Sequence, residues 1–167
     1  MACIPNLPVA LSSPLLPIRE AITDALSRCL VGLNTNDPVL FNSAFTQDAT
    51  FELNGTVSQA LPTIRTDCYD KVSQLDTTHF VSNMHVDRAE SGDNTTKMTA
   101  TSIGRHYRDG KGLKQGQTRL LTGNFYWMDL VREEKTWKFK NFRVKTKWAE
   151  GSSEIKFLIV VPLILSL

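Results

Sequence analysis

The sequence predicts an α+β domain in which helices come first and a curved antiparallel sheet follows. Three observations carry this. Apolar residues recur at helical spacing between Pro17 and Leu33. Four long strand-like runs fill the chain after Asp76. Each run ends in a short polar turn, the connection of an antiparallel meander. Helices ahead of a sheet imply that they pack together on one concave face of it.

Pro17 suits a first helical turn, and Ile18, Ile22, Ala25, Leu26, Cys29, Leu30 and Leu33 then keep to one face. The polar stretch from Asn34 ends this helix. Asp37 before Pro38 reads as the cap of a short second helix over Val39–Ala44. Thr50–Leu53 reads as a short strand closing in an Asn54-Gly55 turn. Ile64, Cys68, Val72 and Leu75 mark a third helix. The strands are Thr78–Arg88, Lys97–Arg108, Arg119–Val131 and Trp137–Trp148. Residues 1–14 read as a flexible lead-in, 15–151 as the domain and 152–167 as an apolar tail. The tail is too short to span a bilayer and is interrupted by Pro162. It reads as an extra strand or a hydrophobic plug, in preference to a membrane contact.

With 167 residues, 41% hydrophobic and 22% charged, the chain has the composition of one globular domain. A net charge of +2, from 19 basic and 17 acidic residues, gives no footprint for nucleic acid. The run Lys138, Lys140, Arg143, Lys145 and Lys147 reads as one solvated sheet face, and Arg28, just off the apolar stripe, as a surface residue. The three cysteines, Cys3, Cys29 and Cys68, follow no metal-ligand spacing. With an N-terminus that makes a poor signal peptide, they point to a reduced, cytoplasmic setting. No phosphate-cradling glycine loop or nucleophile elbow is present, so the chemistry expected is free of cofactor and metal.

The residues best suited to chemistry are His79, His106 and Asn124, on three successive strands of the expected sheet. Imidazole moves protons near neutral pH better than any other side chain. Strand alternation puts Ser102, Gly104 and His106 on one face, where the small residues leave room for a ligand. Asn124 and Tyr126 likewise share a face.

The order of elements resembles the cone-shaped fold of the nuclear transport factor 2-like superfamily. Within it, the chain resembles the SnoaL-like proteins of fungal secondary-metabolite clusters and, more distantly, scytalone dehydratase. The resemblance covers about residues 17–151. It rests on Ser43-Ala44-Phe45-Thr46-Gln47-Asp48-Ala49, Leu75-Asp76-Thr77-Thr78-His79-Phe80, His106-Tyr107-Arg108, Gly123-Asn124-Phe125-Tyr126, Trp137-Lys138-Phe139 and Lys147-Trp148.

The resemblance implies a pocket in which His79 is a general base and His106 the complementary acid. Asp76 would orient His79 or act directly as an acid or base. Asn124 and Tyr126 would hydrogen-bond a carbonyl or phenol, with Glu52 and Arg65 as secondary substrate contacts. The family's aspartate near the end of the first helix falls on Asn34, and its tyrosine neighbour on Leu33. An amide neither gives nor takes a proton near neutral pH, so scytalone dehydratase activity itself is not expected. The expected function is a cofactor-free isomerase, cyclase or dehydratase acting on a small polyketide, terpenoid or alkaloid intermediate. The alternative is a non-catalytic small-molecule-binding or dimerisation module on the same scaffold. A homodimer through the open face of the sheet is the implied assembly.

Overall fold

The computed structural model describes residues 17–87, 92–108 and 116–160. Helix α1, Ile18–Thr35, buries the stripe that its sequence lays out. It ends where Asn36 turns left-handed at φ 55°. A β-carbon on Gly32 would meet the Phe41 backbone nitrogen at 2.6 Å, so glycine is what lets the next helix lie this close. That helix, α2 (Pro38–Ser43), is capped as expected: the Asp37 carboxylate accepts from the Val39 and Leu40 N–H groups at 3.0 and 2.9 Å.

Strand β1, Phe45–Leu53, turns through Asn54 and Gly55, both at positive φ, into β2, Thr56–Gln59. The third helical segment, α3, spans residues 61–72. It contains a π-helical stretch, Arg65–Tyr69, between two α-helical ends. Strands β3 (Asp76–Val86), β4 (Thr95–Tyr107), β5 (Arg119–Glu133) and β6 (Thr136–Gly151) then form the expected meander.

The six strands lie in the order β2-β1-β6-β5-β4-β3. One expectation needs correction, because β1 pairs with β6 in parallel. Hairpins fix the direction of consecutive strands only, and no hairpin joins β1 to β6. Register shifts interrupt the β5–β6 ladder after Gly123 and after Asp129, and such irregularities bend the sheet around its contents.

The narrow end is filled by aromatic rings. Phe41 lies 5.0 Å from both Phe45 and Tyr69, and Phe139 lies 4.8 Å from Phe142.

Arg28 is not a surface residue: it is 3% exposed. Its guanidinium holds Asp24 at 2.6 Å, the Ser43 hydroxyl at 3.1 Å and the Trp137 carbonyl at 2.6 Å. The long side chain also reaches the Ser43 carbonyl at the end of α2, and Asp24 balances its charge. The described part of the tail is not the strand expected as one alternative. Ser153–Val160 is a helix, with Ile155 buried beside Leu75 and Leu120. Pro162 lies outside the described residues. Among the described residues, no helix is long and apolar enough to cross a membrane.

Candidate active site

The concave face changes character along its length. On β4 the inward residues run Met98, Ala100, Ser102, Gly104, His106; on β5 they run Leu130, Met128, Tyr126, Asn124, Thr122. Backbone pairing sets Thr77 opposite His106, and His79 opposite Gly104. Residues directly opposite share a face, so the polar ends of three strands meet beneath α1. Between them lies a cavity of about 670 Å³, its open mouth included. Leu30, Phe51, Val144 and Ile159 line its apolar walls.

His79 lines this cavity, and its Nδ1 lies 2.8 Å from the Asn34 side-chain oxygen. An amide oxygen only accepts, so Nδ1 carries the proton and Nε2 keeps a lone pair. His106 is buried, with Nδ1 3.0 Å from the Thr77 hydroxyl. The two imidazoles stand edge to face, 5.4 Å between centroids. Burial pushes His79 down to about 3, helped by repulsion from His106, and pushes His106 down to about 4. Both rings are therefore neutral at physiological pH.

Asn124 is the centre of a polar network. Its amide donates to Thr122 at 3.1 Å and Ser102 at 3.3 Å, and its oxygen accepts from Thr146 at 3.0 Å. Ser102 donates onward to the Tyr126 phenol oxygen at 2.6 Å. Asn54, in the β1–β2 turn, fixes Thr146 through its N–H at 2.8 Å and its hydroxyl at 3.2 Å. Burial pushes the Tyr126 phenol well above its ordinary value, so it stays protonated. Thr122 and Tyr126 thereby keep hydroxyl protons that can turn into the cavity.

The structure thus brings His79, His106, Asn124, Tyr126 and Asn34 together. It does not bring Asp76, Glu52 or Arg65 to them. Asp76 is exposed on the outer face, because it sits an odd number of residues from His79. Glu52 likewise alternates outward from Phe51 and Leu53 and pairs with Arg143 at 3.0 Å. Arg65 is exposed and faces Asp70 at 3.8 Å.

Sequence reasoning passed over Thr77, Thr122 and Thr146. The signal for two of them was available, since Thr77 lies two residues from His79 and Thr122 two residues from Asn124. Thr146 depended on the β6 irregularity. Cys29 and Cys68, read as apolar helix residues, also line the cavity, and burial raises both thiols, Cys68 to about 12. Among the described residues, no group of histidine, cysteine or carboxylate side chains is arranged to hold a metal.

An α+β cone with two neutral imidazoles, His106 buried and His79 half-buried, beside an apolar cavity is the architecture of a nuclear transport factor 2-like protein. A family model described as a SnoaL-like domain matches residues 15–143, and the chain belongs to that family. It is 40% identical over 149 residues to the terrestric acid biosynthesis cluster protein E of Penicillium crustosum, covering 88% of this chain and 94% of that one.

Solved structures share the fold at low identity. A Novosphingobium aromaticivorans protein ascribed to scytalone dehydratase superposes with a TM-score of 0.68 at 16% identity, over 80% of this chain and 87% of that one. The type 3 hexachlorocyclohexane dehydrochlorinase of Novosphingobium barchaimii gives 0.65 at 18% identity, over 86% and 94%.

Proposed function

We propose that the cavity is a cofactor-free acid/base active site acting on a small secondary-metabolite intermediate, by isomerisation, dehydration or cyclisation. The observation that carries this is the Asn34–His79 hydrogen bond. It holds the ring so that an unprotonated Nε2 is available beside a second imidazole. The fungal relative's place in a biosynthetic cluster supports the metabolic setting. The free thiols of Cys29 and Cys68 agree with a cytoplasmic one.

In this reading His79 Nε2 removes a proton from carbon next to a carbonyl. His106 has the complementary role. If its Nδ1 donated to Thr77, the buried Thr77 hydroxyl proton would lack an acceptor, so Thr77 donates to Nδ1 and His106 presents Nε2–H. That N–H, with the Thr122 and Tyr126 hydroxyls, stabilises the oxygen on which charge develops. A base held near pKa 3 is weak, so the reaction fits a substrate C–H that two groups activate.

The test is deuterium uptake from D2O into candidate carbonyl intermediates, followed by mass spectrometry. The wild type should catalyse it, and His79→Ala and His106→Ala should each lose it. Equal uptake by both variants would eliminate the acid/base reading. It would favour the binding-module reading, which the amide at position 34 also supports.

The proposed assembly is a homodimer through the outer sheet face. Phe80, Ile103, Phe125, Trp127 and Trp148 are exposed there, more apolar surface than an isolated scatter. Gel filtration showing only monomer at micromolar concentration would count against it.

A further inference from the structure

We infer that the cavity selects an uncharged, largely apolar ligand carrying one carbonyl-type oxygen, and rejects carboxylates, phosphates and ammonium ions. This deepens the acid/base reading and rests on it for which ligand carbon reacts. The first ground is the lining. Among the described residues, no Asp, Glu, Lys or Arg faces the cavity. The nearby charges are already matched elsewhere. Arg28 is enclosed by Asp24, Ser43 and the Trp137 carbonyl, while Glu52 and Arg143 pair outside. An ion entering the cavity would lose its hydration and meet no counter-charge.

The second ground is the donor–acceptor inventory. Asn34 gives His79 an amide oxygen, not a carboxylate, so nothing at Nδ1 balances an imidazolium that might otherwise pair with an anion. Both Asn124 donors are engaged within the network, which removes the amide as a direct ligand contact. Besides the weakly polar Cys29 and Cys68 thiols, the groups left are two hydroxyl donors, Thr122 and Tyr126, the His106 Nε2–H and one acceptor, His79 Nε2. That set suits one acceptor oxygen with an adjacent acidic C–H. Gly104 keeps the approach clear: a β-carbon there would lie 2.8 Å from both His106 Nε2 and the Thr122 hydroxyl. The remaining wall is apolar.

The test uses near-isosteric probes of three charges: 2-naphthamide, 2-naphthoate and 2-naphthylmethylamine. Each is titrated into the full chain at pH 7.5 by calorimetry, with the His79 and His106 ring signals followed by NMR to place the binding. The amide should bind and shift both imidazoles, with the carboxylate and the ammonium at least tenfold weaker. Thr122→Val should weaken the amide severalfold and leave the charged probes as weak as before.

A carboxylate or ammonium that binds as tightly as the amide would overturn the inference. So would the amide failing to perturb the two histidines. The two proposals fail separately. Charged probes binding well while turnover still needs His79 would remove the ligand class only. Amide-selective binding with turnover indifferent to His79 would remove the acid/base reading only.

Discussion

The two ends of the concave face are built from the same strands and do different things. At the narrow end, Met128, Leu130, Phe139 and Phe45 pack in the core and the space is filled, while Phe41 and Phe142 join this packing to the cavity wall. At the wide end, two residues further along each strand per step, the inward positions become Thr77, His79, Gly104, Thr122 and Asn124, and the space stays open. The filled end derives its stability from packing. The open end is held by hydrogen bonds among its own polar groups, so a cavity exists without orphaned polar atoms. Packing and function are thus divided along each strand, not between strands.

The contrast breaks most visibly at His79. His79→Ala should lower turnover by about 10²–10⁴-fold, the range for removing a general base, while the thermal midpoint changes little. A large activity loss matched by unfolding would blur the two ends into one.

Phe139→Ala should do the opposite at the filled end. Its ring is fully buried among Phe45 and Phe142, so truncation should cost about 3–5 kcal/mol of stability in denaturant titration.

A third prediction sharpens the electrostatics of the open end. Asn34→Asp sets a carboxylate against His79 Nδ1 and should raise that imidazole's titration midpoint by about 1–3 units, read by NMR. No upward shift would show that the amide contact does not set the histidine's protonation.

The last prediction is a pH dependence. The unfolded histidines take up protons below about 6.5, whereas the folded ones resist until about 4 and about 3. Folding stability contributed by these groups is therefore complete above pH 6.5 and is lost as pH falls through that window. The loss is about 1.4 kcal/mol per pH unit for each histidine. A His79→Gln/His106→Gln double variant should flatten this slope between pH 6 and 4.

Legibility in the sequence followed the range of each signal. Helix α1, the Asp37-Pro38 cap and the four long strands come from local periodicity and local capping, and all were readable. The parallel β1–β6 pairing was not, because no local signal joins two strands that far apart in sequence. Alternation also placed His106, Gly104 and Ser102 correctly on one face. The same rule, counted from His79, would have sent Asp76 outward and brought Thr77 in. Arg28 was misplaced because its partners, Ser43 and Trp137, come from other elements. The C-terminal helix depends on Ile155 docking beside Leu75 and Leu120, a contact no periodicity announces.

The central claim is that His79 and His106 are neutral and held in opposite tautomers. The most direct measurement is a ¹⁵N NMR titration of the two imidazoles in the unliganded protein from pH 8 to pH 4. The account predicts a protonated Nδ1 on His79 and a protonated Nε2 on His106, both rings neutral at pH 5. Midpoints near 6.5, or the same tautomer in both rings, would contradict it.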